Sequence, residues 1–266
     1  MRFTITPSPS EEVVLTPYDK NAYPKFAQLF EPMDESSRLR LLAIDPKQAA
    51  TAIIVENRSA RAITGLRLRW EIRNISGRNS RSILVKDSYV SGPIKPVTEP
   101  RSLLLVTQSG YLEEGLIEQV RTGTGGWITG WCEETSPSDE ATDVVFQIDL
   151  LLFADGEISG PDPDKYAQEL RCRKPAADFV IKQIRMAKSE GRDANPVLNA
   201  LAEAPSLGMV GSAQGDPYVH WTKLFARQCL RHMKRSNGTD TLESYLRYLE
   251  NHTAPPTFFR REISPH

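Results

Sequence analysis

A predicted helix over residues 218–235 carries the strongest local charge asymmetry of the chain. Its cations recur every four residues and so share one helical face: Lys223, Arg227, Arg231 and Arg235. We call these four residues the basic stripe. No acidic residue interrupts it, which favours contact with phosphate, an acidic protein surface or lipid headgroups. The alternative is a solvated or internally paired face of a helix that packs by its apolar side, as amphipathic helices commonly do.

Two tryptophans, Trp127 and Trp131, lie in a glycine-rich segment over residues 122–131. Glycine makes the backbone permissive, and tryptophan offers a large contact area at low entropic cost. The segment is therefore a candidate recognition loop for a partner. The alternative is that both indoles fill the edge of a β-sandwich or contact the helical region, since large aromatic side chains are usually buried.

Four acidic residues follow the last predicted core strand: Asp155, Glu157, Asp162 and Asp164. Oxygen ligands at near-alternate positions suit Ca²⁺, but their order does not match the twelve-residue EF-hand loop. Turn chemistry accounts for Asp155-Gly156 without a metal, because this pair is typical of a type I′ hairpin turn. We predict no metal site.

Nucleophile and base candidates are sparse. Cys229 and His232 stand three apart on one predicted helix, yet a catalytic dyad also needs a cleft and a third, orienting group. The chain contains neither HExxH nor GxSxG, and the glycines of residues 208–215 match no phosphate-binding loop. We therefore predict no catalytic residue and no cofactor.

Strand patterns dominate the first part of the chain. Residues 66–72 alternate apolar side chains with charged ones, which predicts a strand with one dry and one wet face. Residues 144–153 predict a central strand, with Phe146, Ile148, Leu150 and Leu152 on one face. Several short strands with turns between them and no intervening helices favour a sandwich over a βαβ sheet.

Helical periodicity begins after Gly160, with helices predicted around Val180–Ala187 and over 196–204, 218–235 and 241–250. The predicted fold class is α+β, an antiparallel Ig-like β-sandwich followed by an α-helical C-terminal region. Four parts are expected: an extended N-terminal arm (1–34), the sandwich (35–160), the helical region (161–253) and an extended tail (254–266).

Composition excludes several classes of protein. With 39% hydrophobic and 25% charged residues, the 266-residue chain is typical of a folded protein, and its net charge of -1 provides no global attraction for polyanions. No run of apolar residues is long enough to span a bilayer, and the three cysteines are odd in number and far apart. We expect a soluble cytoplasmic protein with reduced thiols.

The segments Val55–Ser59 and Ile63–Leu66, together with the later Phe153–Gly156, resemble Ig-like β-sandwich domains of uncharacterised bacterial proteins. The resemblance covers at most about half of the chain. It implies a fold, and it implies neither an activity nor functional residues.

The leading functional hypothesis is a non-catalytic protein-binding or adaptor protein, because sandwiches present loops and edges to partners. Its candidate binding residues are those of the basic stripe and the two tryptophans. One alternative is an anion-binding protein whose helix 218–235 meets nucleic acid or acidic lipid. Another is an enzyme whose acidic residues and histidines meet only in the folded chain.

Overall fold

The chain divides into two compact units, Met1–Pro161 with Thr257–His266 and Asp162–Pro256, which we call the β-unit and the helical unit. The structure, a computed structural model, describes residues 2–19, 21, 51–77, 79–91, 94–96, 103–107, 110–113, 128–129, 141–203, 216–235, 240–252 and 258–260. Trp127 and Trp131 lie outside the described residues.

The strands of the β-unit form two sheets. In chain order they are β1 (Arg2–Ile5), β2 (Val13–Pro17), β3 (Ile53–Asn57), β4 (Ile63–Asn74), β5 (Asn79–Asp87), β6 (Leu103–Thr107), β7 (Gly110–Glu113), β8 (Ile128–Thr129), β9 (Ala141–Phe153), β10 (Glu157–Ser159) and β11 (Phe259–Arg260). A one-turn helix, α1 (Ser88–Ser91), follows β5.

The first sheet runs β11-β10-β9-β4-β5, and β1 pairs with β9 alongside β10. Its long ladders are antiparallel, whereas β1 runs parallel to β9 and β11 runs parallel to β10. The second sheet has the order β2-β3-β6-β7-β8 and is antiparallel throughout. Residues 2–17, which belong to the segment predicted as an extended arm, thus supply one strand to each sheet.

One hydrophobic cluster joins the two sheets. The predicted strand over residues 66–72 is confirmed as the centre of β4, and Leu66, Leu68 and Trp70 are at most 1% exposed. Trp70 packs edge-to-face against Phe146 of β9, with ring centroids 4.9 Å apart. The second sheet contributes side chains such as Val55 to the same cluster, so both sheets share a core.

The alternation predicted that the charged face of β4 is exposed to solvent along its whole length, but this face is only partly exposed. Arg67 is only 2% exposed, whereas Glu71 and Arg73 of the same face are exposed. Alternation assigns a side chain to a face of the sheet but does not reveal whether that face is covered, which explains the error at Arg67.

A β-bulge in β9 overturns the predicted face of its later residues. The register between β4 and β9 shifts after Arg67↔Leu150, so that Leu68 pairs with Ile148 and Asp149 is the extra residue. Since each bulge reverses the alternation that follows it, Leu151 and Phe153 join the core cluster. Leu150 and Leu152 are buried on the opposite face.

The hairpin that follows β9 also differs from the predicted type I′ turn. Gly156 donates its N–H to Phe153 O at 3.0 Å and has a φ of +95°, but Asp155 is not at positive φ. Type I′ needs positive φ at both central residues. A single left-handed glycine closing the turn is typical of a turn with a bulge instead, and the Asp155 carboxylate accepts the Glu157 N–H.

The helices of the helical unit are α2 (Tyr166–Leu170), α3 (Arg173–Ser189), α4 (Asn195–Glu203), α5 (Pro217–Arg235) and α6 (Asp240–Asn251). The four predicted helices are confirmed as α3 to α6. Asp162 accepts the N–H groups of Tyr166 and Ala167 at 2.6 and 3.1 Å and so stabilises the start of α2. Gly191, at a φ of +66°, follows the end of α3.

Helix α5 packs against α3, α4 and α6 through an apolar face that includes Trp221, Phe225 and Cys229, each at most 2% exposed. Ion pairs on the surface join α3 to α6, since Arg185 contacts both Glu243 and Glu250. Hydrogen bonds from Arg185 and Lys188 lower the pKa of Glu243 to about 2. Because its apolar face contacts three other helices, α5 is the central helix of the helical unit.

Candidate functional site

A groove of about 570 Å³ lies on the outer face of the first sheet, across β1, β9, β4 and β5. We call it the arginine groove. Its lining residues are Arg2, Arg69, Glu71, Ile72, Arg73, Asn79, Arg81, Asp143 and Val145. Its volume falls in the range of pockets that accept small ligands or short segments of a partner.

Strand register explains why charged side chains collect there. Four residues form one row of paired positions across the sheet. Arg2 of β1 pairs with Asp143 of β9, Asp143 pairs with Arg73 of β4, and Arg73 pairs with Asn79 of β5. Two residues before Arg73 on β4, Glu71 lies opposite Arg81 of β5. Neighbouring strands are about 4.8 Å apart, so side chains from four strands meet in one patch.

Ion pairs hold Arg2 and Arg69 at the edge of the groove. Arg2 Nε lies 2.9 Å from Asp143 Oδ1, although the Arg2 side chain is 78% exposed. Arg69 is only 14% exposed, and its guanidinium lies 2.9 Å from Asp149 and 3.4 Å from Glu71. Arg73 is exposed, and its side chain contacts no acidic group of the described residues.

Asp149 supports the groove from within the sheet. Its side chain is fully buried at the bulge of β9, where its Oδ1 accepts hydrogen bonds from Gln147 at 2.8 Å and from Arg69. Burial raises the pKa of Asp149, against the opposing effects of Gln147, Arg69 and Arg67. Because a buried carboxylate fixes one end of its guanidinium, Arg69 is pre-positioned at the wall of the groove.

The lining is rich in charged groups that can hold an anion. It offers guanidinium groups, which bind carboxylate or phosphate through two parallel hydrogen bonds, beside two carboxylates and an amide. None of the nine lining residues supplies a hydroxyl, thiol or imidazole group. The groove can therefore bind and orient an anionic group by electrostatics.

The basic stripe on α5 is divided in the structure. Lys223 is 7% exposed, whereas Arg227 and Arg231 are exposed. Arg227 Nη2 donates to Ala202 O near the end of α4 at 3.4 Å, where a cation stabilises a helix C-terminus. The side chain of Arg235 lies outside the described residues.

His220 lies near two of these cations. Burial lowers its pKa to about 4, and the charges of Arg227 and Lys223 add to the effect. The imidazole is therefore neutral at pH 7. Cys229 is fully buried, and burial raises the pKa of its thiol to about 12, which does not suit a nucleophile.

The acidic residues after β9 have structural partners. Arg61 Nη1 lies 2.8 Å from Asp155 and 2.7 Å from Glu157, and Nη2 lies 2.5 Å from Glu12. The same guanidinium stacks over the Phe153 ring at 4.0 Å. Asp162 binds the start of α2, and the described residues contain no group of three or more potential metal ligands.

Reasoning from the sequence missed the arginine groove. A signal was present, because Arg67, Arg69 and Arg73 occupy alternate positions of the strand with the clearest period. It indicated only a charged face. The contributions of Arg2, Arg81 and Asp143 depend on which strands are neighbours, which local periodicity does not encode.

Comparison of the chain with protein-family models, with curated proteins and with solved structures finds no match. In the part of the chain that the structure describes, no helix is both long and apolar enough to cross a membrane.

Proposed function

We propose that this chain is a non-catalytic binding or adaptor protein that recognises an acidic region of a partner protein through the arginine groove. One observation carries the proposal: four arginines from three strands line a single groove, and one of them, Arg69, is fixed by a buried carboxylate. Fixed guanidinium groups lose little entropy on binding a carboxylate.

The carboxylates in the groove favour a protein partner over nucleic acid or acidic lipid. Glu71 and Asp143 lie between the arginines, so the groove carries four positive and two negative charges. A continuous phosphate backbone would meet both carboxylates and be repelled by them. A protein surface can place an acidic group at each arginine and a neutral or basic group at each carboxylate.

The scaffold and location belong to the same proposal. We propose that the β-unit is an Ig-like sandwich, which is supported by two sheets that share one core. We also propose that the protein acts in the cytoplasm. The free thiols of Cys172 and Cys229 support this location, because reducing compartments preserve thiols.

The second candidate function is anion binding by α5, to nucleic acid or acidic lipid. It is supported by Arg227 and Arg231, which are exposed one turn apart. It ranks second because Lys223 is buried and Arg227 already binds the Ala202 carbonyl. The remaining exposed charge is small for a polyanion-binding surface.

Charge reversal separates the two candidates. The Arg73→Glu/Arg81→Glu variant and the matched Arg227→Glu/Arg231→Glu variant each reverse two exposed arginines. Both would be used as bait in a lysate of the source cells, and captured proteins quantified by mass spectrometry. We expect the groove variant to weaken capture of a specific acidic partner by at least about tenfold, with the α5 variant close to wild type.

Loss of capture only with the α5 variant would place the protein-binding surface on α5 and overturn the groove proposal, as would equal capture by all three baits. The second candidate is tested separately, with double-stranded DNA and phosphatidylserine vesicles as probes, and is overturned if their binding to the wild-type chain does not weaken in the Arg227→Glu/Arg231→Glu variant. Thermal unfolding of each bait provides the folding control. The α5 variant should lose about 1 kcal/mol more than the groove variant, because Arg227→Glu removes the hydrogen bond to Ala202 O and places a negative charge near the end of α4.

A further inference from the structure

The charges that β4 contributes to the arginine groove alternate in sign. Arg69, Glu71 and Arg73 occupy successive outward positions, and all three line the arginine groove. Outward positions on a strand are about 6.7 Å apart. The sequence of charges is therefore positive, negative, positive over a length of about 13 Å.

The two positive positions differ in how they are held. Arg69 is fixed by Asp149 at 2.9 Å and is largely buried. Arg73 is exposed, and Arg81 of β5 lies diagonally across from it, since Arg73 pairs with Asn79 and Arg81 is two residues further along. Diagonal neighbours are about 7 to 8 Å apart, within reach of two long side chains that bind one anion.

The negative position between them, Glu71, is exposed to a ligand. The Glu71 side chain is 55% exposed, lies 3.4 Å from Arg69, and stands opposite Arg81 of β5. An acidic group placed directly above Glu71 would be repelled, whereas a basic group would be attracted. The groove thus discriminates against a ligand with unbroken negative charge.

We propose that the occupant of the groove is an extended segment of the partner protein in which acidic, basic and acidic side chains stand at alternate positions. Alternate residues of an extended segment have the same 6.7 Å spacing as the side chains of β4. The first carboxylate binds Arg69, the basic group faces Glu71, and the second carboxylate lies between Arg73 and Arg81. This inference rests on the proposed function and specifies the chemistry of its partner.

Three synthetic peptides test the pattern: Gly-Glu-Ser-Lys-Ser-Glu-Gly, the all-acidic Gly-Glu-Ser-Glu-Ser-Glu-Gly and the charge-inverted Gly-Lys-Ser-Glu-Ser-Lys-Gly. Each is titrated to millimolar concentration into the full chain, and binding is followed by NMR shifts of backbone amides. We expect the acid-base-acid peptide to bind at least about fivefold more tightly than the all-acidic one despite its smaller net charge. The shifts should fall on residues 69–73 and 79–81.

The Glu71→Lys variant is the decisive control, because Glu71 is exposed and its replacement should leave the fold intact. In this variant the preference should reverse, so that the all-acidic peptide binds more tightly. The inference is overturned if the all-acidic peptide binds the wild-type chain as well as the patterned one, or if no peptide binds at millimolar concentration. Either result leaves the partner-capture test of the proposed function standing, whereas capture that is insensitive to Arg73→Glu/Arg81→Glu removes the proposed function itself.

Discussion

The arginine groove of the β-unit and the basic stripe of α5 both bring several positive charges together, but they differ in how many of these charges remain available to a partner. On α5 a spacing of four residues aligns the cations, but packing buries Lys223 and commits Arg227 to the Ala202 carbonyl. In the groove, strands distant in the sequence bring their arginines together, and Asp149 holds one of them. Sequence spacing therefore predicts alignment of charges, whereas tertiary structure decides which charges remain available to a partner.

The largest expected effect concerns Asp149, the buried support of the groove. Asp149→Ala removes the partner of Arg69 and leaves cationic side chains near a fully buried site, which should lower the free energy of unfolding by about 4 kcal/mol. Asp149→Asn should cost less, because burial already raises the pKa of this carboxyl and disfavours its charged form. Urea denaturation of the three chains measures the difference.

The groove should respond to the same change. With the Asp149 charge absent in Asp149→Asn, Arg69 loses its fixed orientation, and the captured partner should dissociate faster. If Asp149→Asn binds the partner as tightly as the wild type does, the Asp149 charge is not needed to orient Arg69. A fixed arginine would then not distinguish the groove from the stripe.

The next largest effect on stability is expected at Gly160, which lies beside the main chain of Asp149 in β9. Gly160 has a φ of +108°, and a Cβ atom added there would lie 2.5 Å from Asp149 O. Gly160→Ala should therefore lower the free energy of unfolding by roughly 3 kcal/mol, through both backbone strain and a clash with main chain. Denaturant unfolding measures it.

Gly191 is the matched control in the helical unit. Its φ is +66°, and nothing lies within 4 Å of the added Cβ. Gly191→Ala should cost only about 1 kcal/mol, from the left-handed conformation alone. Equal costs at the two positions would show that the close approach to Asp149 contributes nothing.

The sequence predicted elements well and the groove poorly, for a physical reason. The alternation at residues 66–72 and the helical period before Gly191 reflect local geometry, and both elements are present. The groove depends instead on pairing between Arg2 and Asp143, which are 141 residues apart in the sequence. The bulge at Asp149, which decides the faces of Leu150 and Leu151, likewise leaves no local pattern.

A further effect, smaller than those expected at Asp149 and Gly160, concerns His220 and tests the stripe on α5. The pKa of His220 is about 4 in the folded chain, below the ordinary value of 6.5. Between pH 6.5 and pH 4 the unfolded chain therefore takes up a proton that the folded chain does not. The free energy of unfolding should fall across this window by about 2 kcal/mol, less than the full shift implies because the ring is partly exposed.

Two arginine substitutions show whether the stripe acts as a unit. Arg227 contributes to the lowered pKa of His220, whereas Arg231 is not among its causes. In NMR titrations Arg227→Gln should raise the pKa of His220, and Arg231→Gln, one turn further along α5, should leave it unchanged. Equal shifts in the pKa of His220 in the two variants would mean that all cations of the stripe act on it together. The stripe would then resemble the groove, where several arginines act on one ligand, although Lys223 is buried and Arg227 binds a carbonyl.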